Sequence, residues 1–136
     1  MVSDSRGNGW IVVAALGGAV AVIAGAFSAH GLDGVASAKA IGWLQTGSSY
    51  QALHALAMLA VVALSRTASI HGRLALAAQW FFLAGIILFP GALYGLALDG
   101  PRWLGAVAPL GGLAFIAGWL SLALAALIKE KQVDRP

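Results

Sequence analysis

Apolar residues along this chain come in long unbroken runs, not in alternation. No Asp, Glu, Lys or Arg interrupts Trp10 to Ala29, Ala40 to Ser65, Leu74 to Leu98, or Leu104 to Ile128. A helix that crosses a hydrocarbon core of roughly 30 Å at 1.5 Å per residue needs about 20 mostly apolar residues. A membrane strand needs only about 10, with strict alternation. The pattern therefore predicts four transmembrane helices, over 10–29, 48–65, 74–98 and 104–128. The fold class is all-α: an integral membrane four-helix antiparallel bundle, with residues 1–136 forming a single transmembrane domain. Ala24-Gly25-Ala26 matches the small-residue pattern of a signal-peptide cleavage site. The apolar run continues past it to Ala29, which favours a retained first span.

The outward connections carry more pattern than the inward one. Gly31-Leu32-Asp33-Gly34 reads as a turn, and Asp99-Gly100-Pro101-Arg102-Trp103 reads as a second, tight one. Between Ala36 and Thr46 the sequence suits a helix carrying Lys39 and Trp43. This segment is either a short interfacial helix or an outward extension of helix two, and Gly47-Ser48-Ser49 could break or cap it. Trp43 and Trp103 suit the head-group region, where an indole finds both apolar and polar surroundings.

Composition agrees with the spans and removes several function classes. Hydrophobic residues make up 60% of the 136 and charged residues 10%, with a mean hydropathy of +0.88. A chain this short cannot bury so much apolar side chain in one aqueous core. The excess faces the lipid bilayer, which excludes a soluble enzyme. Basic residues outnumber acidic ones to give a net charge of +3. They are scattered in ones and twos, whereas a nucleic-acid footprint gathers them on one face, so no nucleic-acid partner is expected. Arg6, Arg66, Arg73, Lys129, Lys131 and Arg135 fall on one side of the predicted topology, and Lys39 and Arg102 on the other. The positive-inside rule then puts both termini in the cytoplasm. Asp4, Glu130 and Asp134 sit among basic neighbours in solvated tails. Cysteine is absent, so thiol chemistry is excluded.

Helices in lipid associate through close backbone approach and a few hydrogen bonds. Gly17, Ala21 and Gly25 recur at four-residue steps on helix one, Gly91 and Gly95 on helix three, and Gly118 follows Ala114 on helix four. These are the expected packing positions, within one bundle in preference to a homo-oligomer, and helix one is expected to pack most closely. Pro90 and Pro109 fall inside spans. Pro90 frees the carbonyl of Ile86.

Strongly polar side chains at membrane depth are Gln51, His54, Gln79, Tyr94 and Ser121. No membrane acid is present, which disfavours a proton-coupled transporter. His30 and His54 are the only histidines near the membrane spans' outer half. Their depths do not match for a shared haem, and a metal site needs a third ligand, so neither a cofactor nor a metal is expected. Trp43, Thr46, Tyr50 and His54 recur every three or four residues, and Gln51 precedes His54 by three, so one face of helix two forms a polar seam. The expected cluster is His30, Tyr50, Gln51, His54 and Tyr94. His54 should face the interior and bond to Gln51, to Tyr50, to the Ile86 carbonyl or to Tyr94. No nucleophile–base pair, phosphate loop or carboxylate pair appears.

Gly25-Ala26-Phe27-Ser28-Ala29-His30-Gly31-Leu32 and Thr46 through Leu56, which contains Tyr50-Gln51-Ala52-Leu53-His54, together resemble the YgdD-like membrane family, domain of unknown function 423. The likeness extends to Gly85–Tyr94, Arg102–Gly105, Pro109–Leu113 and Gly118-Trp119. The family pattern departs at Ser28, Gly47, Pro90 and Ala92. The resemblance implies a small inner-membrane protein of four helices with no established activity. The reading that follows is a non-enzymatic structural or accessory protein, with a membrane-protein partner or a second copy of itself. The alternative is a small transporter or a lipid- or quinone-binding protein that uses the polar seam.

Overall fold

The computed structural model describes residues 5–31, 36–68 and 70–128. Four long helices follow one another: α1 (Ser5–Ala26), α2 (Ala38–Thr67), α3 (Gly72–Ala97) and α4 (Leu104–Leu127). Each is long and apolar enough to cross a membrane. Among the described residues there is no strand, and the fold is an all-α four-helix bundle. The reason is local. In hydrocarbon every backbone N–H and C=O must find its partner within the protein, and a helix satisfies both from its own segment. Sequential helices pack together, α1 on α2, α2 on α3, and α3 most closely on α4. The turn Gly31–Gly34 and the tail residues Asp4, Lys129, Glu130, Lys131, Asp134 and Arg135 fall wholly or mostly outside the described residues.

Helix α2 is the longest at 30 residues, about 45 Å at 1.5 Å per residue. The segment 36–46 forms its N-terminal extension and not a separate helix. Ser37 caps it, its Oγ accepting from the Ala40 N–H at 3.2 Å. Gly47-Ser48-Ser49 neither breaks nor caps α2, because a break at that depth would strand backbone groups. Gly47 instead makes room for a ring: a Cβ there would stand 2.6 Å from Cε1 of Tyr94. At its C-terminal end α1 widens into a π-helical turn over Phe27–Gly31, where the Ser28 hydroxyl donates to the Gly25 carbonyl at 2.7 Å.

The closest packing lies between α3 and α4, and it follows a simple rule. Phe82 on α3 lies on Gly118 of α4, Phe115 on α4 lies on Gly85 of α3, and Phe89 lies on Gly111. The α3 number rises as the α4 number falls along the pair, which is the register of antiparallel neighbours. At each level a phenyl ring or its backbone fills the place of a missing Cβ. The connecting turn continues this register. Asp99 takes a left-handed conformation (φ 58°), and the Gly100 N–H returns to the Gly95 carbonyl at 2.7 Å, closing the helix as a Schellman turn. At the opposite end the His71 N–H donates to the Ala125 carbonyl at 2.8 Å, tying the α2–α3 connection to α4.

Two packing expectations are corrected here. Helix α1 is not the most closely packed. Its small-residue face meets only ordinary van der Waals neighbours, with Ala55 Cβ 3.7 Å from a Cβ built on Gly17 and Ser48 Oγ 3.5 Å from one on Gly25. Val22 and Ile23 on its far side are 71% and 66% exposed. Gly91 faces outward and meets nothing. Of the other packing positions, Ala21 is buried, Gly95 faces Leu104 across the turn, and Gly118 receives Phe82.

A candidate functional site at the centre of the bundle

Helix α2 carries the polar side chains inward. His54 is sixteen residues from the start of α2 and Trp119 fifteen from the start of α4. The two helices run in the same direction, so these residues lie at matching depth. The Trp119 Nε1–H donates to His54 Nε2 at 3.2 Å. On the other side of the ring, Nδ1 is 2.7 Å from the carbonyl of Tyr50, one turn earlier. A carbonyl only accepts and an indole N–H only donates. The ring is therefore neutral, with its proton on Nδ1. Phe115 stacks on its face at 3.5 Å between centroids, 9° from parallel, and Phe82 tilts against it at 5.6 Å. His54 is 3% exposed. Its two nitrogens are both satisfied, as burial in hydrocarbon demands.

A second polar link lies three residues away along α2. The Gln51 amide Nε2 donates to the carbonyl of Gly17 on α1 at 2.8 Å, and its Oε1 accepts from the Tyr94 hydroxyl of α3 at 2.9 Å. One side chain thus joins three helices. Tyr94 reaches it because helical side chains lean toward their own N-terminus, which carries the phenol back from the C-terminal end of α3 over Gly47. A third link runs from Gln79 Nε2 on α3 to the Met58 carbonyl of α2 at 3.0 Å.

The structure brings Tyr50, Gln51, His54 and Tyr94 into one region and leaves His30 out. His30 is exposed on the π-helical turn, and the ring neighbours of His54 are Tyr50, Phe82, Phe115 and Trp119. The turn itself packs against α2, while the His30 side chain stays exposed. No group of three or more metal-binding side chains occurs among the described residues. The Ile86 carbonyl is not a partner of His54. Sequence reasoning missed Trp119. Its signal was an indole N–H placed mid-span, where it needs an acceptor.

The family model for a protein of unknown function, DUF423, matches residues 24–112. That segment contains Gln51, His54 and Tyr94 and stops short of Trp119. The chain belongs to this family. Among its relatives, a UPF0382 membrane protein of Haemophilus influenzae is 40% identical over 116 residues, covering 85% of this chain and 91% of the relative. A UPF0382 membrane protein of Staphylococcus epidermidis is 42% identical over 118 residues, covering 87% and 94%. The UPF0382 inner membrane protein YgdD of Escherichia coli K12 is 42% identical over 132 residues, covering 91% and 94%. No solved structure matches the chain. Family membership and four apolar helices together make this a small multi-pass membrane protein.

Proposed function

We propose that the protein is a non-enzymatic structural or accessory component of the inner membrane, with both termini cytoplasmic, and that it works by presenting its outer helix faces to another membrane protein. The observation that carries this reading is the use made of the central polar groups. Gln51 and His54 each have both ends of the side chain bonded to helix backbone or to another helix. Such groups hold helices in place; none of these four bonds is left over to engage a substrate. The apolar outer face of α1, with Leu16, Val22 and Ile23 more than half exposed, supplies lateral surface. The inner-membrane assignment is supported by the name of the Escherichia coli relative.

The test is photo-crosslinking in intact membranes from Val22 or Ile23. The expected result is one discrete protein adduct of constant stoichiometry, either with a different membrane protein or with a second copy. Adducts to lipid alone would overturn the accessory reading. A periplasmic reporter active when fused after Pro136 would overturn the orientation.

A further inference from the structure

The end of the bundle opposite the α3–α4 turn contains a cavity of about 410 Å³ between the start of α1, the end of α2 and the start of α3. Its walls are apolar, from Trp10, Val62 and Leu76, while Arg66 and Arg73 stand at its rim. Three features point to an anionic ligand bearing a nearby hydrogen-bond donor. Arg73 lies in the first turn of α3, so its charge adds to the positive end of that helix. His71, the residue that precedes this turn, makes no side-chain cap to it, which leaves first-turn amides available to an anion. Gln79, also lining the cavity, is 3% exposed, and its Oε1 is buried without a partner while its Nε2 is held by Met58. A buried amide oxygen in this state calls for a donor. Arg66 donates to Asn8 Oδ1 at 3.1 Å, which fastens α1 to α2 beside the opening.

We propose that this cavity binds the head group of an anionic glycerophospholipid. The phosphate sits at Arg73 and the first turn of α3, a glycerol hydroxyl donates to Gln79 Oε1 once that amide turns toward the cavity, and the acyl chains leave along Trp10, Val62 and Leu76. The spacing suits this. Gln79 is six residues, about 9 Å, along α3 from Arg73, and its side chain leans back toward the helix start. A phosphate and its adjacent glycerol span that gap. The site lies at the far end of α2 from the polar seam, and the proposal is independent of the accessory role.

Native mass spectrometry of the purified full chain, supplied with equal amounts of phosphatidylglycerol and phosphatidylcholine, tests it. One bound phosphatidylglycerol is expected in preference by about fivefold, the factor that one basic residue contributes near a membrane surface. Arg73→Gln should bring the two lipids close to parity. Leu76→Trp, which fills a wall and leaves the charges in place, should abolish the one-to-one adduct with helical content unchanged. Equal retention of both lipids, or a preference untouched by both variants, would show unspecific surface lipid and overturn the site. Displacement of the lipid by submillimolar glycerol 1-phosphate would show a site for soluble phosphoesters and overturn the lipid assignment.

Discussion

Replacing Gly85 with alanine adds one methyl group where the α3–α4 register leaves no room. The new Cβ would overlap Cδ1 of Phe115, lie 2.5 Å from its Cε1 and 3.0 Å from its Cγ, against about 3.5–4.0 Å for carbon atoms in favourable contact. The ring must retreat by about 1 Å. It has little freedom to do so, because Phe115 is 4% exposed and the His54 ring lies against it at 3.5 Å, with Tyr50 and Phe89 also beside it. Overpacking of this kind costs about 1–3 kcal/mol. Alanine regains up to about 1 kcal/mol over glycine in helix propensity, so a net loss of about 1–2 kcal/mol is expected. Reversible unfolding in mixed micelles, followed by tryptophan fluorescence, measures it. Gly91→Ala is the control: a Cβ there meets nothing, so the propensity gain stands alone and stability should rise or stay level. Adding Phe115→Leu to Gly85→Ala should recover about 1 kcal/mol relative to the sum of the single changes, since contacting residues couple. A Gly85→Ala protein as stable as the unaltered one would refute the glycine–phenyl register.

Trp119→Phe keeps an aromatic ring, smaller than the indole, and removes the donor, leaving His54 Nε2 buried and unpaired. A loss of about 1–3 kcal/mol is expected, and nitrogen NMR of the histidine ring should show Nε2 changing its hydrogen-bonded state while Nδ1 stays protonated. An unchanged Nε2 resonance would contradict the Trp119–His54 bond. Gln51→Leu removes the bonds to both Gly17 and Tyr94 at similar volume. With membrane hydrogen bonds averaging about 0.6 kcal/mol and reaching about 1.7, a total loss of about 1–2 kcal/mol is expected in the same unfolding assay. No change would mean that the three-helix link is energetically idle.

The sequence alone determined that this chain forms membrane helices, because the cost of unpaired backbone in lipid acts on each segment separately. It also determined that His54 is interior, since an isolated imidazole has no acceptable place among acyl chains. Which groups answer that demand was decided by tertiary structure. Tyr50 supplies a carbonyl from the same helix, a local partner within reach of sequence reasoning, whereas Trp119 arrives from 65 residues away. Its approach depends on the α3–α4 register, and Phe-x-x-Gly at 82–85 and 115–118 is a visible repeat whose meaning appears only when the two copies face each other in opposite directions. Small-residue spacing on α1 looked the same in sequence as the spacing on α4. Pairing separates them, because a glycine brings backbones close only where a partner presents a side chain to fill the space, and α1 meets Ala55 and Ser48 where α4 meets phenyl rings. His30 fell outside the seam as well: it lies in a π-helical turn at the end of α1 and is exposed, and a count of residues at α-helical spacing does not register such a turn.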